Sequence, residues 1–386
     1  MLGAFAFPAL QNELGARWGL TNTQAGLING IYFAGYALAV TVLASLTDRF
    51  DARGIHLAGA AVSALAAAGF GFFASGFLSA LLFRLLAGLG LAATFIPGLR
   101  ALVDRLPENT RVRGMALYTA TFSLGMSASF WMSGELAARF GWRAAFFASA
   151  AGAALALLVA ASVLPPRAVA PGTGEAAAGR LLAVLSDRRV MPYILAYAGH
   201  MWELFAFRSW IVAFLAFSRG FGGRPALGPR PATVAAMIGI VAMGANVAGA
   251  ELATRLGRRR VLTAIMGTSA LLAAAVGFMA AWPYVAVVCV TVFYSLFVQG
   301  DSAALYAGAL QAADPARRGA TLAVHSLFGF VAAAIGSFGV GLVLDATQGG
   351  RTVVSWGAAF AAMGLGAALG PLFLRKAGES AAIRSH

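Results

Sequence analysis

The stretch S-L-T-D-R-F-D-A-R (residues 45–53) follows an apolar run, and a related stretch, E-L-A-T-R-L-G-R-R (residues 251–259), follows another in the second half of the chain. Two further pairs keep the same order in the two halves: Arg113-Gly114 corresponds to Arg318-Gly319, and Trp142 corresponds to Trp356. Imperfect copies that recur in order indicate an internal duplication, in which two related units pack against each other. The sequence therefore predicts two halves of similar structure.

Composition indicates the environment in which these halves fold. Hydrophobic residues make up 60% of the chain, charged residues only 11%, and the mean hydropathy is +0.80. An ordinary soluble domain has roughly 25% charged residues, so this chain is expected in a lipid bilayer. The net charge of +14 comes from arginines in short segments between apolar runs, a distribution that indicates membrane topology rather than nucleic-acid binding.

Residue patterns for enzymatic chemistry are missing from the sequence. Cys289 is the single cysteine and lies in an apolar run, so one chain cannot build a disulfide framework or a thiolate metal site. The sequence has no phosphate-binding P-loop, no His/Cys cluster at zinc spacing and no nucleophile elbow. We therefore expect neither an enzyme nor a cofactor.

Apolar stretches long enough to cross a bilayer as helices recur along the chain with short polar breaks. They cover residues 23–46, 55–76, 78–102, 114–136, 144–164, 191–216, 232–252, 261–281, 283–309, 317–343 and 354–374. These stretches predict eleven full helices. Residues 1–10 form a shorter apolar run that ends before Gln11, Asn12 and Glu13, so we expect a first helix that is truncated.

The positions of the basic residues predict orientation and domain organisation. Alternate loops contain 19 of the 28 Lys and Arg residues, the opposite loops contain 7, and short cytoplasmic loops retain such residues. Both repeated stretches and the C-terminus are thus expected in the cytoplasm, in a bacterial inner membrane or plasma membrane. Residues 1–165 are predicted to form an N-terminal bundle, 166–190 a flexible cytoplasmic linker, 191–375 a C-terminal bundle and 376–386 a cytoplasmic tail.

The repeated stretches carry a family resemblance. The first copy is similar to the signature G-x-L-x-D-R-x-G-R-R of the major facilitator superfamily, which it matches at Leu46, Asp48, Arg49 and Arg53. The second copy keeps Leu252, Arg255, Gly257, Arg258 and Arg259 but has Thr254 in place of the acid, and R-L-L-A-G-L-G (residues 84–90) resembles the family pattern R-x-x-x-G-x-G. The resemblance implies an all-α polytopic membrane protein of two six-helix bundles, related by pseudo-twofold symmetry, that works by alternating access.

Ionisable residues within the apolar stretches are the candidate site residues, because each costs at least about 2.5–3.5 kcal/mol to insert and usually faces protein or water. In residues 191–216, His200, Glu203 and Arg208 fall within one broad face of the predicted helix. We expect Glu203 to exchange a proton, His200 to adjust its acidity, and Arg208 to bind an anionic substrate or to pair with Glu203. The alternative for each is a structural ion pair or hydrogen bond between helices.

Three further residues are weaker candidates. Asp301 could take part in proton coupling or pair with an arginine of a loop. The resemblance makes Arg84 a plausible partner of a proton-carrying acid, although it could also be a packing cation beside Gly88. Tyr32 belongs to a polar stripe suited either to cavity lining or to hydrogen bonds between helices.

The repeated stretches themselves contain a candidate conformational gate. Asp48, Arg49, Arg255 and Arg258 are predicted to form contacts that hold one conformation and break in the other. The alternative is a solvated loop whose arginines only determine topology.

The sequence as a whole favours a secondary active transporter of a small solute, coupled to protons, with an anion favoured by Arg84 and Arg208. The expected partners are the solute, protons and the lipid bilayer, with no nucleic acid, and the expected assembly is a monomer. Glu203 and Asp301 leave open the export of a drug or lipophilic cation. The short first helix leaves open a non-transporting membrane sensor or a truncated remnant.

Overall fold

The computed structural model describes residues 1–47, 49–168, 177–223 and 228–382. Within these ranges the regular elements are α-helices and four 3₁₀ helices of three to five residues. The first half contains α1 (Ala6–Trp18), α2 (Asn22–Leu46), α3 (Ala52–Phe73), α4 (Phe77–Val103), α5 (Glu108–Phe140) and α6 (Trp142–Val163). A short helix, α7 (Ala177–Leu185), precedes the second half. The second half contains α8 (Met191–Gly220), α9 (Pro231–Leu256), α10 (Arg258–Val276), α11 (Tyr284–Gly300), α12 (Ser302–Ala312), α13 (Arg318–Ala346) and α14 (Val353–Ala382).

The protein is a multi-pass membrane protein. Within the described residues, ten helical segments are long and apolar enough to cross a bilayer. Large apolar side chains such as Leu78, Leu271 and Leu65 are more than 70% exposed on the outside of the fold, where lipid would cover them. The predicted stretch 114–136 lies in α5, a helix of 33 residues that is more polar than those ten.

The helices form the two bundles that the duplication predicted. In the N-terminal bundle (α1–α6), α4 packs on α2 and α3, and α6 packs on α3. In the C-terminal bundle (α8–α14), α8 packs on α13 and α14, and α14 packs on α10. The bundles meet mainly through α2 against α13 and α5 against α9.

We name the two ends of the molecule by their loops. The linker end contains the α2–α3 and α4–α5 loops and α7, and the far end contains the α1–α2 and α5–α6 loops. In the described residues, hydrogen bonds, ion pairs and ring contacts join the two bundles at the far end and as far as the middle of the helices. Arg208 on α8 lies about 18 Å along the helix from its far end, and the stacked rings of Tyr36 and Phe330 lie somewhat deeper.

Contacts of three kinds close the far end. Oδ1 and Oδ2 of Asp345, at the end of α13, accept hydrogen bonds from the backbone N–H groups of Asn22 and Thr23 at 3.1 and 2.7 Å. Glu135 on α5 forms an ion pair with Arg230 before α9 at 3.2 Å. Deeper in the interface, four aromatic rings from α2, α8 and α13 pack together: Phe33, Tyr36, Phe205 and Phe330.

The helices of the structure add detail to four of the predicted segments. α1 does not end before Gln11 but continues to Trp18, because Gln11 is buried and its side-chain oxygen accepts a hydrogen bond from Asn29 at 2.6 Å. The stretch 283–309 lies in one apolar segment long enough to cross a bilayer, Tyr284–Ala312, within which α11 ends at Gly300 and α12 begins at Ser302. The predicted linker contains α7, whose Val184 packs on α8 and α13, and α14 extends into the predicted tail as far as Ala382.

Candidate functional site

Arg208 lies at the interface between the bundles. One guanidinium nitrogen donates a hydrogen bond to Oε1 of Gln299 on α11 at 2.9 Å, and another lies 3.6 Å from the sulfur of Met126 on α5. The guanidinium also lies near the ring of Phe205, 5.6 Å from its centroid. In the described residues no carboxylate lies within ion-pair distance of Arg208, so this half-buried cation has only neutral neighbours.

Glu203 points into the interior of the C-terminal bundle. Its carboxylate accepts hydrogen bonds from the hydroxyl of Ser269 on α10 at 3.0 Å and from the hydroxyl of Tyr294 on α11 at 2.8 Å. The residue is 1% exposed, and its side-chain hydrogen-bond partners belong to the same bundle. Glu203 therefore joins three helices of one bundle.

His200 lies beside Asp301, the residue between α11 and α12. Nδ1 of His200 and Oδ1 of Asp301 are 2.7 Å apart, an ion-pair distance, but their orientation is outside hydrogen-bond geometry, so neither atom has a hydrogen-bond partner in the described residues. Both residues are buried. From the sequence, the alternative partner of Asp301 was an arginine of a loop, whereas in the structure His200 lies at ion-pair distance from it.

Arg208 and Glu203, which the sequence predicted on one broad face of α8, point toward different neighbours in the structure. Arg208 contacts α5 and α11 at the bundle interface, whereas Glu203 contacts α10 and α11 inside the bundle. The predicted pairing of these two residues is therefore absent. Five residues along an α-helix correspond to a rotation of about 140°, which turns the two side chains toward different neighbours.

Arg84 and Tyr32 form one unit in the N-terminal bundle. The Arg84 guanidinium lies 4.1 Å from the ring centroid of Tyr32 and donates hydrogen bonds to the backbone carbonyls of Gly3 and Ala4 at 3.1–3.2 Å. Arg84 is 2% exposed and borders a cavity of about 110 Å³ between α3, α4 and α6. The structure thus shows a buried cation held by carbonyl oxygens and an aromatic ring.

The predicted gate residues lie at the linker end. Asp48 lies outside the described residues, and Arg49 lies in an exposed turn. Arg255 donates a hydrogen bond to Glu251 on its own helix at 2.6 Å, and Arg258 donates one to Gln311 on α12 at 2.7 Å. The hydrogen bonds described for Arg255 and Arg258 therefore stay within the C-terminal bundle.

Asp51, not named as a site residue from the sequence, organises the linker end of the N-terminal bundle. It accepts hydrogen bonds from the Arg105 guanidinium at 2.8–2.9 Å and from the backbone N–H groups of Arg53 and Arg167. Although partial burial opposes ionisation, these donors together keep the pKa of Asp51 below its ordinary value. Its contribution to stability is thus present above the ordinary pKa and is lost only as the pH falls through the lowered one. The signal in the sequence was an acid immediately before α3, the position of a helix N-cap.

The fold and the interface define a class of protein: a helical membrane protein of two packed bundles. Midway along their interface lies Arg208, a cation without a charged partner among the residues that the structure describes. A family model for the Major Facilitator Superfamily matches residues 1–337. The chain belongs to this superfamily, a family of transporters rather than enzymes.

Curated relatives match part of the chain. It is 29% identical over 144 residues to the niacin transporter NiaP of Acinetobacter baylyi (strain ATCC 33305 / BD413 / ADP1), a match that covers 37% of this chain and 32% of that protein. It is 25% identical over 148 residues to the probable sphingolipid transporter spinster homolog 1 of Arabidopsis thaliana, covering 38% of this chain and 30% of that protein. Each match therefore spans about a third of the relative's length.

Solved structures match nearly the whole chain. A bacterial homolog of the human lysosomal transporter Spinster, crystallised in an inward-facing and occupied conformation, superposes with a TM-score of 0.74 at 16% identity, over 97% of this chain and 91% of that one. The nucleoside transporter NupG superposes with a TM-score of 0.74 at 13% identity, over 97% of both chains. At such identities the likeness establishes the fold.

Proposed function

We propose that this chain is a secondary active transporter that moves a small organic anion across the membrane by alternating access. The two bundles make contact at the far end, and family membership makes rocking of the bundles about a central site the expected mechanism. The present conformation is then the state open toward the linker end. Because the proposed path lies between the bundles of one chain, we propose a monomer as the transporting unit.

The position of Arg208 is the observation that carries this proposal. A cation in the middle of a membrane protein is expensive unless an opposite charge, backbone carbonyls or water compensates it. Arg208 has an amide oxygen, a thioether and an aromatic ring as its neighbours, and it lies half-buried at the interface between the bundles. An anionic group would supply the missing charge and accept hydrogen bonds from the planar guanidinium.

We propose that the linker end faces the cytoplasm of a bacterial or plasma membrane and that a proton gradient drives transport. The excess of Lys and Arg in the loops of the linker end and in the C-terminal tail supports the orientation. When the linker end closes, the two repeated stretches approach each other. Asp48, Arg49, Arg255 and Arg258 then act as the gate predicted from the sequence.

The solute class rests on Arg208 rather than on the relatives, whose names give niacin, a sphingolipid and nucleosides. Niacin is an aromatic carboxylate, so nicotinate is a suitable probe. Export of a lipophilic cation has less support, since Glu203 and Asp301 are both enclosed within the C-terminal bundle.

Uptake into proteoliposomes tests the proposal. Radiolabelled nicotinate, a neutral analogue (nicotinamide) and aliphatic carboxylates are offered under an imposed pH gradient. We expect saturable uptake of at least one carboxylate, and Arg208→Gln should reduce it by a factor of about ten or more, the effect of losing a charge-assisted hydrogen bond of about 1.5–3 kcal/mol. Arg351→Gln, which changes an exposed arginine bonded to a nearby backbone carbonyl, is the matched control and should leave uptake unchanged.

Two results would overturn the proposal. One is the absence of flux for every anion offered, while the protein remains folded in the vesicles. The other is carboxylate uptake that Arg208→Gln and Arg351→Gln leave equally intact.

A further inference from the structure

The C-terminal bundle encloses two acids, and their partners differ in kind. Glu203 accepts hydrogen bonds from two hydroxyl groups, of Ser269 and Tyr294, which donate whether or not a proton arrives. Asp301 instead faces the imidazole of His200, a side chain that is neutral without a second proton and a cation with it. Protonation therefore changes the charge balance of the Asp301–His200 pair directly.

Asp301 lies at a one-residue interruption between two helices. α11 ends at Gly300 and α12 begins at Ser302, so Asp301 is the single residue between two helices that otherwise continue one another. The side chain of Asn246 on α9 accepts a hydrogen bond from the backbone N–H of Ala303, in the first turn of α12, at 2.9 Å. The Asp301–His200 contact thus joins this interruption to α8, the helix that also carries Arg208.

A row of rings leads from the pair toward the edge of the bundle. Tyr197 stacks on His200, with ring centroids 5.6 Å apart, and on His325 of α13, at 3.7 Å. Tyr306 meets His325 edge-on at 5.7 Å. His200 and His325 are at most 2% exposed, whereas Tyr197 is half-buried and Tyr306 is 43% exposed. In the described residues neither ring nitrogen of His325 has a hydrogen-bond partner.

The titratable groups around the pair come from four helices. Tyr197, Glu203 and Arg208 lie on α8, Tyr294 on α11, Tyr306 on α12 and His325 on α13. The electrostatic neighbours of Asp301 include Glu203 and Tyr197, and those of His200 include His325.

We propose that Asp301 and His200 form the proton-binding pair that couples the gradient to transport, with Tyr197, His325 and Tyr306 connecting the pair to the solvent. The inference rests on the proposed function, of which it names the coupling site. One proton taken up from the solvent converts a carboxylate beside a neutral imidazole into a carboxylate beside an imidazolium, and the charge of the pair changes from −1 to 0. The ion pair that results holds α8 at the α11–α12 interruption, where Nδ1 of His200 and Oδ1 of Asp301 lie 2.7 Å apart, and loss of the proton weakens this hold.

The first test measures conformation and needs no solute. After Cys289→Ser, the substitutions Phe50→Cys and Arg259→Cys place one spin label on each bundle at exposed positions of the linker end. Distances between the labels are recorded in nanodiscs between about pH 5 and pH 9, a range that includes the charge change of an unperturbed histidine side chain. We expect a pH-dependent change in the distance distribution that Asp301→Asn and His200→Gln each abolish and that Glu203→Gln retains.

The second test separates coupling from solute binding. With nicotinate, or whichever carboxylate shows uptake, Asp301→Asn should reduce accumulation driven by the pH gradient by about tenfold or more, a usual size for a coupling effect. Exchange of labelled for unlabelled solute across the vesicle membrane, which needs no net proton movement, should continue in this variant. Size-exclusion chromatography and thermal unfolding establish that each variant is folded, and His200→Gln replaces Asp301→Asn where that variant does not fold.

The outcomes distinguish this inference from the proposed function. Distances independent of pH in the parent protein, or a response that Glu203→Gln abolishes and Asp301→Asn retains, would overturn the pair as the proton site whatever the solute. A pH response that Asp301→Asn removes, in a protein that carries no anion, would support the pair and reject the anion transporter.

Discussion

At the scale of single residues, Glu203 shows how a buried acid holds helices together. Its carboxylate accepts hydrogen bonds from Ser269 on α10 and Tyr294 on α11. Glu203→Ala removes the acceptor from both hydroxyl groups and leaves a cavity, so we expect a loss of about 2–5 kcal/mol in the free energy of unfolding. Glu203→Gln keeps one oxygen acceptor and should cost less, about 1 kcal/mol.

A double-mutant cycle with Tyr294→Phe checks the cause. Unfolding in mixed micelles of the parent protein, Glu203→Gln, Tyr294→Phe and the double variant gives the coupling energy between the two side chains. Hydrogen bonds between membrane helices average about 0.6 kcal/mol and reach about 1.7 kcal/mol, and we expect a favourable value in that range. A coupling energy of zero would mean that the hydrogen bond does not contribute to stability.

The sequence could identify the ionisable residues of the site but not their partners. Arg84, His200, Glu203, Arg208 and Asp301 are recognisable because a charge within an apolar stretch needs compensation. Their partners lie on other helices, so they depend on rotation and register that no local pattern specifies. Asp301 facing His200, and Arg208 facing Gln299, emerge only once α8 and α11 are packed.

At the scale of helices, hydropathy predicted where helices form better than it predicted where a helix is interrupted. Each of the eleven predicted stretches lies almost entirely within the helical segments of the structure, because satisfying the backbone in lipid leaves few alternatives to a helix. The interruption at Asp301 was missed, since apolar residues continue on both sides of it. The short helix α7 was missed because the linker composition, rich in proline and small residues, indicated a flexible tether.

Close helix contact next to this interruption gives a prediction. A Cβ at Gly249 of α9 would overlap the carbonyl oxygen of Gly300, the last residue of α11. Gly249→Ala should therefore force the two helices apart and destabilise the protein by about 1–3 kcal/mol. Gly244→Ala on the same helix meets no atom within 4 Å and is the matched control, which we expect to be neutral or stabilising by up to about 1 kcal/mol.

Thermal unfolding in detergent compares the two glycine variants. The expected order of midpoints places Gly249→Ala clearly below the parent protein and Gly244→Ala at or above it. Equal midpoints for the two variants would show that α9 and α11 can separate without loss, contrary to the packing seen here.

At the scale of the whole molecule, the duplication in the sequence corresponds to equivalent helices. Arg113-Gly114 lies in α5 and Arg318-Gly319 begins α13, while Trp142 begins α6 and Trp356 lies in the first turn of α14. Each pair occupies the same place in its own bundle, so the repeat predicted the architecture. The repeat could not predict which end of the molecule is closed, because both ends are built from equivalent helices and the choice depends on contacts between the bundles.

Removing the side chain of Asp345, at the far end, should shift the equilibrium that determines which end of the molecule is closed. Asp345 bonds the first backbone N–H groups of α2 from the end of α13, so it acts as an anion at a helix N-terminus supplied by the other bundle. Asp345→Ala should weaken closure of the far end by about 1 kcal/mol, the usual value of an N-cap, and move the equilibrium about fivefold toward opening there.

Spin-label distances across the far end measure the shift, and Glu135→Gln, which weakens the ion pair with Arg230, should move the equilibrium in the same direction. Arg351→Gln lies at the same end, bonds only the nearby carbonyl of Gln348 in the described residues, and should cause no shift. If all three variants left the distances as in the parent protein, the closed far end would depend on the packing of Phe33, Tyr36, Phe205 and Phe330 rather than on these charged contacts.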